Sequence, residues 1–178
     1  MRIRVTNRLV VAAIAVAAIG LASWPFFRSF WSMGGGIRAG QQRLRRVLLD
    51  TDFETLLKAC DDLSKRVAEG KLKSKQYMVR TDPDPETSSF PRPILDLEPT
   101  CVIINEAGIV RIELYGGWHQ YGVQAVPADN VGYASSVAGD VQLIPRLWLY
   151  DDHYDKNPKY REWIDALIEK RGEQGKSN

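Results

Sequence analysis

Asp151-Asp152-His153-Tyr154-Asp155 is the densest set of potential metal ligands in the chain. Asp151, Asp152 and Asp155 with the His153 imidazole offer the oxygen and nitrogen donors that hold Zn²⁺ or a similar divalent ion. Their spacing matches no established site, and a helix dipole also favours acidic residues ahead of its first turn. The plainer reading is a solvated loop between a strand and a helix. The only other histidine, His119, stands in Gly116-Gly117-Trp118-His119-Gln120-Tyr121-Gly122. Convergence of His119 and His153 on the acidic loop would make a metal-dependent or acid–base hydrolase. Strand alternation instead groups His119 with Tyr121 and Val123 on the expected core side, where a structural, hydrogen-bonded histidine is the plainer reading. Tyr115, Trp118 and Gln120 fall on the opposite face as a candidate ligand platform. Ser135-Ser136 has neither an elbow motif nor a local base and reads as loop. No motif reaches catalytic grade, and no cofactor is expected.

Cys60 and Cys101 are the only cysteines. Outside a membrane such a pair can oxidise. A bridge would close a loop of about 40 residues, on the order of 4 kcal/mol in the chain-entropy model. The alternative is two separate buried thiols acting as small apolar groups.

Several elements must position these groups. Thr51-Asp52-Phe53-Glu54 fits a capping box with Thr51 at the N-cap. Phe53, Leu56, Leu57, Cys60, Leu63 and Val67 then mark one helical face, and Gly70 ends it. Ahead of it Ile37, Gln41, Leu44, Val47 and Leu48 recur at helical spacing beside Arg43, Arg45 and Arg46. That segment reads either as a helix packed on the domain or as a basic amphipathic helix on anionic lipid. Lys71 to Arg80 is basic and strand-like. Pro83, Pro85, Pro91, Pro93 and Pro99 then impose an irregular connector, with one short helical turn over residues 94–97.

A sheet comes next. Residues 101–105 and 109–115 form two strands, joined by Glu106-Ala107-Gly108 with Gly at a left-handed position. In the second, Val110, Ile112 and Leu114 alternate with Arg111, Glu113 and Tyr115. Residues 118–126 make a third strand, residues 127–140 a loop, and residues 141–150 a fourth strand in which Pro145 favours an edge or a bulge. Asn157-Pro158 opens a last helix whose apolar face is Tyr160, Trp163, Ile164, Leu167 and Ile168 and which ends at Gly172. The expected fold is α+β, with helices packed on a three- to four-stranded antiparallel meander and a C-terminal helix. The capped helix with Leu56-Leu57-Lys58-Ala59-Cys60, the Pro-rich link, and the stretches IVRIELYGGWHQYGVQAVP and LIPRLWLYDD resemble a group of uncharacterised membrane-anchored bacterial proteins. The resemblance spans roughly residues 53–150 and implies no activity and no site residue.

An N-terminal transmembrane helix is expected to precede this domain. Apolar side chains run from Leu9 to Phe27 without a charge, between Arg2, Arg4 and Arg8 in front and Arg28 behind. That length approaches the ~20 residues that cross a bilayer core. Trp24, Phe26, Phe27, Phe30 and Trp31 suit a headgroup-level aromatic belt. A cleaved signal, cut after Ala22, competes with an uncleaved anchor, and the longer apolar run favours the anchor. The domain organisation is then a basic tip and anchor over residues 1–31, a Gly linker over 32–36, and one α+β domain over 37–178. The glycine break at 34–36 disfavours a pilin-like continuous helix.

Charge is divided unevenly. Residues 1–46 carry eight Arg and no acid, whereas the rest carries sixteen Lys or Arg against twenty-two Asp or Glu. A mildly acidic domain excludes nucleic acid as the expected partner. Membrane lipid, met by the anchor and by Arg38, Arg43, Arg45 and Arg46, and a protein partner are the partners expected. The function expected is a single-pass, membrane-tethered extracytoplasmic binding or accessory module. The alternative is the hydrolase built on His119, His153 and residues 151–155.

Overall fold

The computed structural model describes residues 40–115, 120–130, 140–152, 154 and 156–174. The chain divides into two compact units, residues 1–41 and 42–178. The anchor and linker segments lie outside the described residues, and the sheet belongs to the second unit. Among the described residues no helix is long and apolar enough to cross a membrane.

Six antiparallel strands form one sheet in the order β1-β2-β3-β4-β6-β5. They are β1 (Gln76–Met78), β2 (Cys101–Ile104), β3 (Val110–Tyr115), β4 (Tyr121–Ala125), β5 (Val141–Ile144) and β6 (Leu147–Asp151). Helices α1 (residues 40–50), α2 (Phe53–Ala68), α3 (Arg92–Leu95) and α4 (Pro158–Gln174) complete the α+β unit. The expected meander holds only from β1 to β4, because β6 rather than β5 pairs with β4. The sheet has six strands rather than three or four for two reasons. The strand-like 71–80 segment contributes β1, and residues 141–150 are a hairpin rather than one strand. Pro145 and Arg146 form its two-residue turn, with Ile144 opposite Leu147. Arg146 takes φ 72, the left-handed region that type II turns require at the second central position and that Pro at the first accommodates. Its side chain donates to the Val126 carbonyl and pairs with Asp61, which holds this unfavourable backbone in place.

The capped helix begins one residue later than the box implies. Asp52, not Thr51, is the N-cap of α2, and its carboxylate accepts from the Glu54 and Thr55 amides. At the other end Gly70 takes φ 69, while the Lys71 amide reaches the Arg66 carbonyl and the Gly70 amide that of Val67. This is a Schellman closure, which needs a residue free of Cβ strain at that position. Asn157 caps α4 as its Asn-Pro pair predicts, accepting from the Tyr160 amide. The helix runs through Gly172 to Gln174.

The core lies between the helices and one face of the sheet. Val110, Ile112 and Leu114 of β3, with Tyr121, Val123 and Ala125 of β4, meet Leu56, Cys60 and Leu63 of α2. Leu44, Val47 and Leu48 of α1 and Ile164 and Leu167 of α4 join the same cluster. The apolar stripe of α1 is thus spent on the domain. Its arginines divide: Arg43 donates to the Leu114 carbonyl and, like Arg46, faces Glu98, while Arg45 is exposed. Arg38 lies outside the described residues.

Candidate functional site

The register defines what the sheet presents away from the helices. Strand pairing aligns Gln76, Ile103, Arg111, Gln124, Trp148 and Gln142 in one cross-strand row. The next row runs Met78, Cys101, Glu113, Gly122 and Tyr150. Gln76 and Gln142 at the ends of the first row are exposed; Arg111 and Trp148 are half-buried. Arg111 forks onto the Gln124 side-chain oxygen at 3.0 and 3.2 Å, and its guanidinium stacks 4.5 Å from the Tyr150 ring centroid.

The second row is a packed polar cluster. A Cβ built on Gly122 would stand 2.7 Å from the Tyr150 hydroxyl and 2.9 Å from its ring, so Tyr150 lies directly across the glycine. Its hydroxyl is buried and has no hydrogen-bond partner among the described residues. Burial raises the Glu113 carboxyl above its ordinary range, against the opposing pull of the Cys101 thiol and Arg111. Burial and the Glu113 charge in turn push Cys101 up to about 11. A thiol in that state is a poor nucleophile at neutral pH.

This geometry corrects the disulfide expectation. Cys60 and Cys101 are both free and buried. Cys60 lies in the helix-side core, while Cys101 precedes the core residue Val102 by one position and points through the other face. Adjacent strand residues alternate, so the sheet itself separates the two sulfurs. Burial also raises the Cys60 thiol far above its ordinary range.

The candidate platform of Tyr115, Trp118 and Gln120 does not assemble from its described members. A bulge between Glu113 and Tyr115 breaks the alternation. It turns Tyr115 toward Tyr121, with ring centroids 5.9 Å apart and planes at 14°. Tyr115 therefore serves the helix side rather than the far face. Gln120 is exposed, and Trp118 lies outside the described residues.

In the acidic loop the described carboxylates part company. Asp151 is 1% exposed and accepts from the Tyr160 hydroxyl at 2.7 Å, which ties α4 to β6. Asp152 instead accepts from the Gln120 amide at 3.1 Å, and its own amide donates to the Gln120 carbonyl. Among the described residues no three metal-ligating side chains gather. His119, His153 and Asp155 lie outside them.

Cavities occur on the helix side and at the margins. One of about 340 Å³ lies among α1, α2 and α3, with Arg43, Arg46, Asp50 and Asp96 in its walls. Another of about 460 Å³ lies beside the β2–β3 turn, with Asp61, Ser64 and Glu106. A third of about 340 Å³ lies beside β5, walled by Leu48, Phe53, Leu143, Ile144 and Ile168. Sequence patterning signals none of them, because each joins segments distant along the chain. No family model, curated protein or solved structure matches the chain.

Proposed function

We propose that the protein is a membrane-tethered binding module whose domain works outside the cytoplasm and contacts a protein partner through the sheet face turned away from the helices. The observation that carries this reading is the division of labour in the sheet. One face is consumed by α1, α2 and α4, and the other bears the Gln76–Gln142 row with Arg111 and Trp148 at its centre. Arg and Trp supply a disproportionate share of binding energy at protein interfaces. The tether rests on the apolar run Leu9–Phe27 and its aromatic belt. With Arg43 and Arg46 engaged by Glu98, Arg38 and Arg45 are left as the lipid-facing arginines of this proposal.

Site-specific photo-crosslinking tests the reading. A crosslinker at position 76 or 142 is expected to trap a discrete partner in membranes, and one at the exposed Lys58 of α2 is not. Crosslinks from Lys58 alone would refute it.

One observation favours a hydrolytic or metal-dependent reading as the second choice. Gln120 and Asp152, the chain neighbours of His119 and His153, exchange two hydrogen bonds. Calorimetric titration with Zn²⁺ and Mn²⁺ tests it. Heat that vanishes in the His119→Ala and His153→Ala variants supports the metal-dependent form of this reading, and absence of heat eliminates that form.

A further inference from the structure

The two edges of the sheet are treated differently. At β1 the edge is closed by the chain itself. The Met78 amide donates to the Asp84 carboxylate at 2.7 Å, the Asp84 amide donates to the Met78 carbonyl at 3.0 Å, and Lys75 pins Asp84 at 2.8 Å. At the opposite edge, Val141–Ile144 of β5 pairs with β6 and makes no other backbone hydrogen bond among the described residues. Unpaired edge groups are a template for another strand, and chains usually protect them with charge or Pro. β5 carries neither within its four residues.

A bulge between Gln142 and Ile144 would ordinarily blunt such an edge. Here it brings Leu143 and Ile144 together onto the wall of the third cavity, where Leu48, Phe53 and Ile168 complete an apolar lining. The rim is acidic. Glu54 is exposed and forms no ion pair among the described residues. The one cation of the lining, Arg171, is already committed. It donates to the Leu48 and Thr51 carbonyls at 3.0 and 2.7 Å and stacks 3.6 Å from the Phe53 ring.

We propose that β5 receives an extended segment of a partner protein as an added strand. One apolar side chain of that segment enters the cavity, and an adjacent Lys or Arg faces Glu54. Main-chain pairing supplies affinity in this mode and the side-chain pocket supplies selection. A four-residue edge offers few main-chain bonds, so the pocket and the Glu54 charge must discriminate strongly. The surface adjoins the partner-binding sheet face through Gln142 but is distinct from it.

Three labelled decapeptides with an alternating threonine frame test the proposal against the full chain in neutral detergent: one carrying Leu and Lys, one Leu and Glu, and one Ala and Lys. Fluorescence anisotropy is expected to show the Leu/Lys peptide binding at least tenfold more tightly than either of the others. Hydrogen exchange at the amides of residues 141–144 should slow when it binds. Glu54→Lys, an exposed change, should reverse the preference between the Lys and Glu peptides, and Ile168→Trp, which fills the cavity, should abolish the advantage of Leu over Ala. Equal binding to the Glu54→Lys variant, unchanged exchange at 141–144, or no binding by any peptide would overturn the proposal. So would a dimer in sedimentation that Leu143→Lys converts to monomer, since the edge would then pair two copies.

Discussion

Gly122 makes a demand that no other residue type can meet, and Gly122→Ala is the perturbation that exposes it. The added methyl would stand 2.0 Å from the Ile112 carbonyl oxygen and 2.7 Å from the Tyr150 hydroxyl. The first contact is with backbone inside the β3–β4 ladder, which pairs Glu113 with Gly122 and Ile112 with Val123. Reaching 3.0 Å, the shortest approach a real Cβ tolerates, moves that contact by about 1 Å. The ladder must open and the Tyr150 ring must lift at the same time. Overpacking of this kind costs about 1–3 kcal/mol, and a weakened ladder bond adds about 1 kcal/mol. The expected loss is about 2–4 kcal/mol out of the ~5–15 kcal/mol of a typical domain. Urea unfolding of the full chain in neutral detergent measures it. A Tyr150→Leu background should recover at most half of the loss, because the carbonyl contact stays. A Gly122→Ala variant within about 0.5 kcal/mol of the parent, or full rescue by Tyr150→Leu, would refute the close-approach argument.

Burial holds the Glu113 proton more tightly in the folded chain than its ordinary value of 4.5, so this carboxyl favours folding at low pH and opposes it as pH rises. Glu113→Gln should therefore melt higher than the parent at pH 7, and the gap should shrink as pH falls through the raised folded value and be closed by about 4.5; calorimetry across that range checks it. Tyr160→Phe removes the hydroxyl donor to the buried Asp151 and should cost about 1.5–3 kcal/mol, measured by denaturant unfolding, with α4 exchanging its amides faster. Asp52→Ala should lower the melting temperature through loss of the α2 cap while Thr51→Ala leaves it nearly unchanged, and the reverse order would restore Thr51 as the cap.

The elements legible in the sequence are those whose signals are local. The alternation of Val110, Ile112 and Leu114 with Arg111 and Glu113 reads directly as a strand with one core face, and the burial of β3 follows it. The apolar face of α2 and its Gly70 stop are equally plain. The errors arise where tertiary contacts overrule a local rule. Residues 145–146 carry none of the Gly, Asn or Asp that usually mark a hairpin turn, because Arg146 is held at positive φ by bonds to Val126 and Asp61. Tyr115 changes sides through a bulge that leaves no mark in the alternation. The cap lies one residue beyond Thr51 because Thr51 and Asp52 are both good N-caps, and the Asp52 carboxylate is the one that reaches the Glu54 and Thr55 amides. For the candidate site the same holds. Cys60 and Cys101 look like a pair until strand parity sends them to opposite faces, and the β5 cavity draws on residues from 48 to 172 that no window can connect.

The proposed placement of the domain beyond the membrane is tested most directly by thiol labelling. Both native cysteines are buried, so a Glu106→Cys variant at the exposed β2–β3 turn carries the one accessible thiol among the described residues. A membrane-impermeant maleimide added to intact cells, followed by alkaline carbonate extraction, reads topology and anchoring together. Labelling is expected to be as complete in intact cells as in lysed ones, with the labelled chain retained in the membrane pellet. Labelling only after lysis, or release of the labelled chain into the soluble fraction, would contradict it.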